Sequence, residues 1–332
     1  MQIHPIIFLD IDGVLNTPDS WGGKKVNPVD EPKVEMIANL ATEIGAKIVV
    51  SSSWRIVHTR EEMVIKLGDR FDELIVAGNQ WRTKSFGGLR GEEIASWLDT
   101  NGWRPHAIVD DETDFYRWQP LIKTKGTVGL TKQTIKGIAD TIKLQQLEGP
   151  VRHGLRYGVG DMLNSPDIIV AHGCNAQGAM GSGAALAVIK RYPLNKVVYQ
   201  RKHQESGLKL GDVVWYSTYD KHLNNHRIIA NCITQEFAGY DGRKYVDYDA
   251  VATSYRAVAD ITLAQGWQQF STCMVGAGLA GGDWDVLFNI LESIAIEKQV
   301  TIKVWLLDSQ TYYDVCEQYR KFSYDCFGAK SV

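Results

Sequence analysis

Short apolar runs alternate with segments of helical periodicity along almost the whole chain. Runs such as IIFLD and HAIVDD are typical of buried strands, whereas PKVEMIANLATEIG repeats its apolar residues at helical spacing. Because strand and helix alternate in both halves, we predict an α/β fold, and the strict alternation in the first half favours a parallel sheet covered by helices on both faces. The predicted strands are IIFLD, AKIVV, ELIVAG, HAIVDD, DIIVAHG, DVVWYST, RIIANCI, FSTCMV and IKVWLLD.

The length of the chain and one break in this pattern predict two domains. A chain of 332 residues is long for a single hydrophobic core. The break EGPVRHG follows a helical segment, and a new strand-like run starts at LRYGVGD. We place the boundary at 148–153 and predict three-layer domains at 1–148 and 153–332. The segment TYYDVCEQYRKF is expected to close the second sheet as a helix.

Charge and cysteine content limit the classes of partner. The formal net charge is −3, so no overall basic field is available to bind nucleic acid, and any such contact must be local. Five cysteines without a CxxC pair favour reduced thiols over disulfides or a zinc site. No apolar run approaches the roughly 20 residues that span a bilayer. We therefore expect a cytoplasmic protein without a membrane partner.

Two carboxylates, Asp10 and Asp12, follow the first apolar run. Asp10 comes at the carboxyl end of the predicted strand, where ligands of open α/β sheets bind. Two carboxylates this close repel unless a cation lies between them or one is protonated, and Gly13 allows the tight backbone path that such a site needs. Mg²⁺, which prefers oxygen ligands, meets this requirement. The alternative is that the pair merely caps a turn.

Two other strand ends supply what a phosphoryl site requires. AKIVVSSSWR ends at Ser51, whose hydroxyl and neighbouring amides suit phosphate oxygens. HAIVDDETD ends at Asp110 and Asp111, which are further oxygen ligands for a metal. The sequence therefore predicts a metal-assisted phosphoryl site at one edge of the first sheet.

Three motifs, DIDGVLN, SSSWR and VDDE, together resemble the haloacid dehalogenase (HAD) superfamily over about the first 145 residues, and most resemble the HAD domains of RNA-repair proteins. The resemblance implies a Rossmannoid parallel sheet and covalent phosphoryl transfer, in which Asp10 attacks phosphorus and Asp12 acts as general acid and base. It also implies a Mg²⁺ ion held by Asp10, the Asp12 carbonyl and Asp110, with Asp111 as a further ligand.

The same resemblance implies a catalytic basic residue ahead of the last strand of the motif set. Lys84 and Arg90 are both candidates, and we prefer Arg90 because it opens the helix GEEIASWL. The gaps between the motifs hold little that resembles a cap domain, which implies an open site that admits polymer ends such as RNA termini. A small nucleotide is the alternative substrate.

The second half contains two glycine loops at predicted strand ends. One strand ends at Asn175, and a loop with Gly178, Gly181 and Gly183 then opens a helix, whose first amides suit a phosphate. The spacing matches neither a Rossmann fingerprint nor a Walker loop. A second loop, GAGLAGGDWD, follows the strand FSTCMV, so the two loops can hold the two phosphates of a diphosphate.

These loops resemble a macro domain, the ADP-ribose-binding fold, over residues 153–308, and specifically the branch with ADP-ribose 1''-phosphate phosphatases. The resemblance implies a mixed sheet, with Asp161 on the adenine amine and Asn175 on the distal ribose. It also implies His172 and Asp283 as catalytic candidates. The residues implied in ADP-ribose binding are Asp161, Met162, Asn175, Gly181, Ser182, Gly183, Gly276, Ala277, Gly278 and Leu279.

Simpler roles remain open for both catalytic candidates. Asp283 can cap the helix that follows it, and His172 can bond backbone in a turn. We therefore keep two hypotheses. One is a bifunctional phosphatase acting on an RNA-end or nucleotide phosphate and on ADP-ribose 1''-phosphate or a related ADP-ribosyl bond; the other is a non-catalytic ADP-ribose reader joined to a phosphatase.

Three further features are interpreted as structural. His222 and His226 lie in a polar stretch without a third metal ligand, which is typical of a surface loop. KRYPLNKVVYQRKH is interpreted as a solvated helix face. Tryptophans beside apolar runs are expected to pack in the core or between domains; they include Trp54, Trp97, Trp215 and Trp305.

Overall fold

The computed structural model describes residues 4–18, 29–85, 87–150, 153–239, 241–311 and 314–315. The chain divides into two compact units, Met1–Arg152 together with Val315, and His153–Asp314. The domain limits 1–148 and 153–332 remain a prediction, because most of the expected closing helix lies outside the described residues. Cys316 and Cys326 also lie outside the described residues. No helix in the described part of the chain is long and apolar enough to cross a membrane.

The first unit contains a four-stranded parallel sheet in the order β2-β1-β3-β4. Its strands are β1 (Ile6–Leu9), β2 (Lys47–Val50), β3 (His106–Asp110) and β4 (Leu121–Lys123). Its helices are α1 (Glu31–Glu43), α2 (Trp54–Val57), α3 (Arg60–Leu67), α4 (Phe71–Leu74), α5 (Arg90–Asn101) and α6 (Lys132–Glu148). Leu9 is in register with both Val50 and Val109, so the carboxyl ends of β1, β2 and β3 lie at the same end of the sheet.

Helices cover both faces of this sheet because its central strand is apolar on both sides. Ile7 and Leu9 pack in a cluster with α1 and α6, whereas Ile6 and Phe8 pack in a second cluster with α5. Successive side chains of a strand point to opposite faces, which explains the split. Each fully buried side chain of this kind stabilises the fold by roughly 1.5–3 kcal/mol.

The run ELIVAG differs from its prediction as a strand. Its first residues belong to the short helix α4, and only Ile75 pairs with the sheet, through a single parallel bridge to Ile48. Gly78, with φ +64°, then turns the chain into a 3₁₀ turn. The stretch between Ser51 and Arg90 thus contains three helices, α2 to α4, and is more elaborate than the sequence suggested.

The second unit contains a mixed six-stranded sheet in the order β5-β10-β9-β6-β8-β7. Only β7 runs antiparallel to its neighbour among these strands. The strands are β5 (Leu155–Val159), β6 (Ile169–Asn175), β7 (Val213–Asp220), β8 (Asn225–Gln235), β9 (Gln269–Cys273) and β10 (Thr301–Leu306). The helices are α7 (Gly183–Arg191), α8 (Pro193–Ser206), α9 (Tyr248–Ala264) and α10 (Trp284–Lys298). The predicted α/β class, with one parallel and one mixed sheet, is confirmed.

Candidate active site and ligand cavity

Three carboxylates meet at the carboxyl edge of the first sheet. Oxygens of Asp10, Asp110 and Asp111 all lie within 4.8 Å of one another. Asp10 directly follows β1 and Asp110 ends the adjacent β3, so the register of these two parallel strands brings them together. Asp10 is 4% exposed and Asp110 is fully buried.

Burial and mutual repulsion disfavour the charged forms of these carboxylates. Burial raises the pKa of Asp10 to about 6, and Arg90 opposes the rise. Burial and then the charge of Asp10 raise the pKa of Asp110 well above its ordinary range. Burial and then Glu112 raise the pKa of Asp111. Crowded buried carboxylates are stabilised by a cation, and a set of oxygen donors fits Mg²⁺.

Arg90 provides a positive charge to two of the three carboxylates. Its Nη1 lies 3.1 Å from Asp10 Oδ1 and 2.7 Å from Asp110 Oδ2. Arg90 is the first residue of α5, which fixes its backbone beside the sheet edge. Lys84, the other candidate, is exposed on the segment before that helix. Of the two basic residues, the structure brings Arg90 to the carboxylates.

The side chain of Asp12 does not belong to this group of three. Its Oδ1 accepts a hydrogen bond of 2.9 Å from Asn16 Nδ2, and its Oδ2 accepts one of 2.9 Å from Trp54 Nε1. These two donors fix the orientation of the Asp12 carboxylate. The neighbouring Gly13 has φ +68°, and a Cβ there would lie only 2.2 Å from Asp111 Oδ2. A side chain at this position would therefore displace Asp111.

Ser51 and Ser52 lie at the end of β2, next to Asp10. The Ser51 amide donates to the Leu9 carbonyl at 3.0 Å, and the Ser52 hydroxyl bonds the Asp10 carboxylate. Ser51 is fully buried, and its hydroxyl has no hydrogen-bond partner among the described residues. Because an unpaired buried hydroxyl costs stability, this group is suited to a bound ligand oxygen.

A cavity of about 760 Å³ lies in the second unit, at the carboxyl ends of β6, β9 and β10. It is lined by all of the residues that the sequence implied in ADP-ribose binding: Asp161, Met162, Asn175, Gly181, Ser182, Gly183, Gly276, Ala277, Gly278 and Leu279. The two glycine loops thus face one cavity. Its volume is within the range of small-molecule sites.

The polar groups that line this cavity also order its loops. Asp161 Oδ1 accepts from the Leu163 amide at 2.9 Å and begins a 3₁₀ turn. Asn175 donates to the Ala179 carbonyl at 2.8 Å, and its Oδ1 accepts from the Gln177 and Ala179 amides. Helix α7 begins at Gly183, and its first amides have no partner within the helix.

Neither His172 nor Asp283 is among the residues that line the cavity. His172 is fully buried, its Nε2 donates to Asn231 Oδ1 at 2.8 Å, and burial lowers its pKa to about 4. Asp283 Oδ1 accepts from the Asp285 amide at 2.8 Å and caps α10. Both side chains therefore make contacts within the fold. The His172 imidazole is bonded to the neighbouring strand β8, and the Asp283 carboxylate is bonded to the first turn of α10.

The first unit is similar to a known family and to a phage protein. Residues 6–135 match the family model described as the HAD domain in Swiss Army Knife RNA repair proteins. We call the region that this family model matches the HAD domain. An uncharacterized 17.5 kDa protein in the tk-vs intergenic region of Enterobacteria phage T4 is 24% identical over 136 residues, which are 41% of this chain and 85% of that protein.

Solved structures similar to the rest of the chain include macrodomains. The macrodomain of Mycobacterium tuberculosis DarG is 19% identical, with 46% of this chain and 98% of that chain covered and a TM-score of 0.40. A Bacteroides thetaiotaomicron protein of unknown function is 28% identical, with 46% and 96% covered and a TM-score of 0.39. Thermosipho africanus DarTG in complex with ADP-ribose is 16% identical, with 53% and 51% covered and a TM-score of 0.40.

Several residues of the HAD domain site were not expected from the sequence. Trp54 was expected to pack in the core or between domains; it does pack against the core of the first unit, and its indole also donates to Asp12. Arg55 is buried, bonds the carbonyls of Ser51 and Ser52, and pairs with Glu93. The only sequence signal for these two residues is that they complete the SSSWR motif.

The cavity of the second unit likewise has lining residues that the motifs do not contain. Cys273 and Trp305 end or nearly end the strands β9 and β10, whereas Asp308 and Thr311 follow β10. Trp305 was expected to be a packing residue, and its indole does donate to Ser271 Oγ at 2.8 Å. Its position near the carboxyl end of a strand was the sequence feature that could have predicted a place in the cavity lining.

Proposed function

We propose that the HAD domain is a Mg²⁺-dependent phosphomonoesterase with Asp10 as its nucleophile. The observation that carries this proposal is the group of Asp10, Asp110 and Asp111 with Arg90 between two of them. An arginine and a metal ion together compensate the charge of a transferring phosphoryl group. The unpaired Ser51 hydroxyl supplies a further donor to a phosphoryl oxygen.

The proposed reaction has two steps, formation and hydrolysis of an aspartyl-phosphate. An Asp10 oxygen forms a bond to phosphorus, the bond from phosphorus to the ester oxygen breaks, and Asp12 gives that oxygen its proton. Asp12 then takes a proton from water, whose oxygen attacks the aspartyl-phosphate and releases phosphate and free Asp10. Asp10, Asp110 and Asp111, with the Asp12 carbonyl, would hold Mg²⁺, which when bound neutralises charge on the phosphoryl oxygens.

The proposed substrate is a phosphorylated RNA end. The description of the matching family, RNA repair, supports this class of substrate. The carboxylates lie at the carboxyl ends of parallel strands, where ligands of open α/β sheets bind. A nucleotide monophosphate is the alternative substrate.

For the second unit we propose binding of ADP-ribose or a phosphorylated derivative. The supporting observation is that the ten residues implied by the resemblance to a macro domain line a single cavity. Its two glycine loops offer backbone amides to a diphosphate. Because Asp283 and His172 do not line the cavity, the geometry favours a reader over an ADP-ribose 1''-phosphate phosphatase.

Phosphate release from two substrates tests both proposals. The full chain is incubated with Mg²⁺ and either 3'-phosphorylated RNA or ADP-ribose 1''-phosphate, and wild type is compared with Asp10→Asn and Asp283→Ala. We expect Asp10→Asn to abolish release from RNA, and calorimetry to detect ADP-ribose binding in all three proteins. Release from ADP-ribose 1''-phosphate that is lost only in Asp283→Ala would contradict the reader proposal.

A further inference from the structure

The HAD domain contains a second cavity, of about 810 Å³, beside its catalytic edge. We call it the side cleft. Its lining includes Ile56, Val57, His58, Arg60, Trp81 and Arg82. No motif of the phosphoryl site includes the cleft residues, since they come from α2, the start of α3 and the segment after the 3₁₀ turn.

Hydrogen bonds connect the side cleft to the strand end that carries Ser51. The Val50 amide donates to the Trp81 carbonyl at 2.9 Å, and the Thr83 amide donates to the Val50 carbonyl at 3.2 Å. Arg82 therefore extends the sheet beside β2. On the other side, the Trp54 ring meets His58 edge-on at 5.6 Å. Ile56, the first cleft residue along the chain, follows Trp54 by two positions, and Trp54 contacts Asp12.

The surface chemistry of the side cleft suits a heterocyclic base. Ile56 and Val57 are apolar yet 63% and 73% exposed. The Arg82 guanidinium lies over the Trp81 ring, 5.1 Å from its centroid, and Asn79 offers an exposed amide. An apolar surface packs against the face of a base of any sequence, and a neighbouring guanidinium adds a cation–π contact.

The side cleft has no net positive charge, since Arg60 and Arg82 are matched in number by Glu61 and Asp72 in its lining. Arg60 is paired with Asp72, and this pair contributes no net charge. Arg82 donates to the Arg55 carbonyl and has no acidic partner among the described residues. Glu61 is the remaining acid at the rim. His58 faces Glu62 at 3.6 Å.

We propose that the side cleft holds the nucleosides next to the scissile phosphate of a single-stranded polynucleotide. The cleft then discriminates between polynucleotide ends and small phosphomonoesters at the same catalytic edge. This inference rests on the proposed phosphatase function. Ile56 and Val57 pack against the bases, and Arg82 binds the phosphodiester backbone.

The test compares two substrates on the full chain with Mg²⁺. The measured quantity is the ratio of kcat/KM for a short 3'-phosphorylated RNA to kcat/KM for p-nitrophenyl phosphate. We expect this ratio to fall about tenfold in Ile56→Ser/Val57→Ser and in Arg82→Ala, because each variant removes a contact to a base or to the backbone. An unchanged ratio in both variants would overturn the proposal.

Two control variants separate packing against the bases from general damage. Ile65→Ser removes an equally exposed apolar side chain, 78% exposed on α3 and outside the cleft lining, and should keep the wild-type ratio. Ile56→Val/Val57→Ile retains the apolar surface and should keep it too. A fall in either control as large as that in Ile56→Ser/Val57→Ser would count against packing of bases in the cleft.

Binding separates failure of this inference from failure of the phosphatase proposal. Fluorescence anisotropy of labelled RNA and DNA oligonucleotides is measured on Asp10→Asn with and without the cleft substitutions. If wild type hydrolyses neither substrate but the cleft substitutions still weaken RNA binding about tenfold, polynucleotide binding in the side cleft is supported and the phosphatase proposal is contradicted. Equal affinity with and without them overturns the cleft. Comparison of RNA with DNA identifies which polynucleotide it prefers.

Discussion

Arg90 is the residue on which the charge balance of the HAD domain site depends. It contacts Asp10 and Asp110, both almost completely buried. Two buried carboxylates without a compensating cation would be uncharged or strongly destabilising. Arg90 therefore serves the fold and the chemistry together, since a charged Asp10 is the proposed nucleophile.

Substitution of Arg90 tests this double role. Arg90→Ala should lower kcat/KM for phosphate release by about 100-fold and the free energy of unfolding by about 3 kcal/mol, because a charge-stabilising donor is lost and two buried carboxylates lose their partner. Lys84→Ala is the control. Phosphate assays and urea unfolding measure the two effects; similar losses in both variants would show that Arg90 is not the relevant cation.

The indole of Trp54 is expected to position Asp12. Trp54→Phe keeps an aromatic ring but removes the N–H that donates to Asp12 Oδ2. We expect kcat to fall about tenfold, because the group that orients the catalytic carboxylate is lost. Trp103→Phe is the matched control, since the Trp103 indole donates to Asp99. Equal kcat in Trp54→Phe and wild type would contradict a positioning role.

Sequence alone predicted the residues that follow strands and missed those that depend on loop paths. Asp10, Ser51 and Asp110 were identifiable because parallel strands end at one edge. The bond from Trp54 to Asp12 joins residues 42 positions apart, and neither residue type requires it. Local pattern carries no information on such a contact.

At the scale of elements, the first glycine loop forms part of the ligand cavity through its backbone. Gly181 lines the cavity, and a Cβ there would meet no atom within 4 Å. A valine at this position would occupy space in the cavity without clashing with the protein. Gly181→Val should therefore weaken ADP-ribose binding at least tenfold while changing the free energy of unfolding by less than about 0.5 kcal/mol. Gly181→Ala should weaken binding less. Calorimetry and urea unfolding give both values; full affinity in Gly181→Val would remove the loop from the site.

Elements with one physical role were predictable, and elements with competing roles were not. Both glycine loops were identified because glycine after a strand has few other uses. Asp283 was ambiguous because an aspartate before a helix can cap it, and the cap is what the structure contains. ELIVAG was misassigned because a short apolar run suits a buried helix turn as well as a strand.

At the scale of the whole molecule, each unit contains one fully buried histidine whose pKa burial lowers to about 4, His106 in the first and His172 in the second. Between about pH 6.5 and 4 the unfolded chain binds protons that the folded histidines do not. The free energy of unfolding should therefore fall as the pH drops through this window, by up to about 1.4 kcal/mol per pH unit for each histidine.

Urea unfolding at pH 7 and pH 5 measures this effect. His172→Gln keeps a donor toward Asn231 but cannot be protonated, so its loss of stability between the two pH values should be smaller than that of wild type. The difference between the two proteins cancels the contribution of the carboxylates. An identical pH dependence would mean that His172 is not buried neutral.

Trapping of the covalent intermediate tests the central claim, that Asp10 is the nucleophile of a HAD phosphatase. The full chain with Mg²⁺ and 3'-phosphorylated RNA is quenched in acid during turnover, and its peptides are analysed by mass spectrometry. We expect a phosphoryl group on the peptide that contains Asp10 and none in Asp10→Asn, which should also release no phosphate. Phosphate release from Asp10→Asn at the wild-type rate would contradict it.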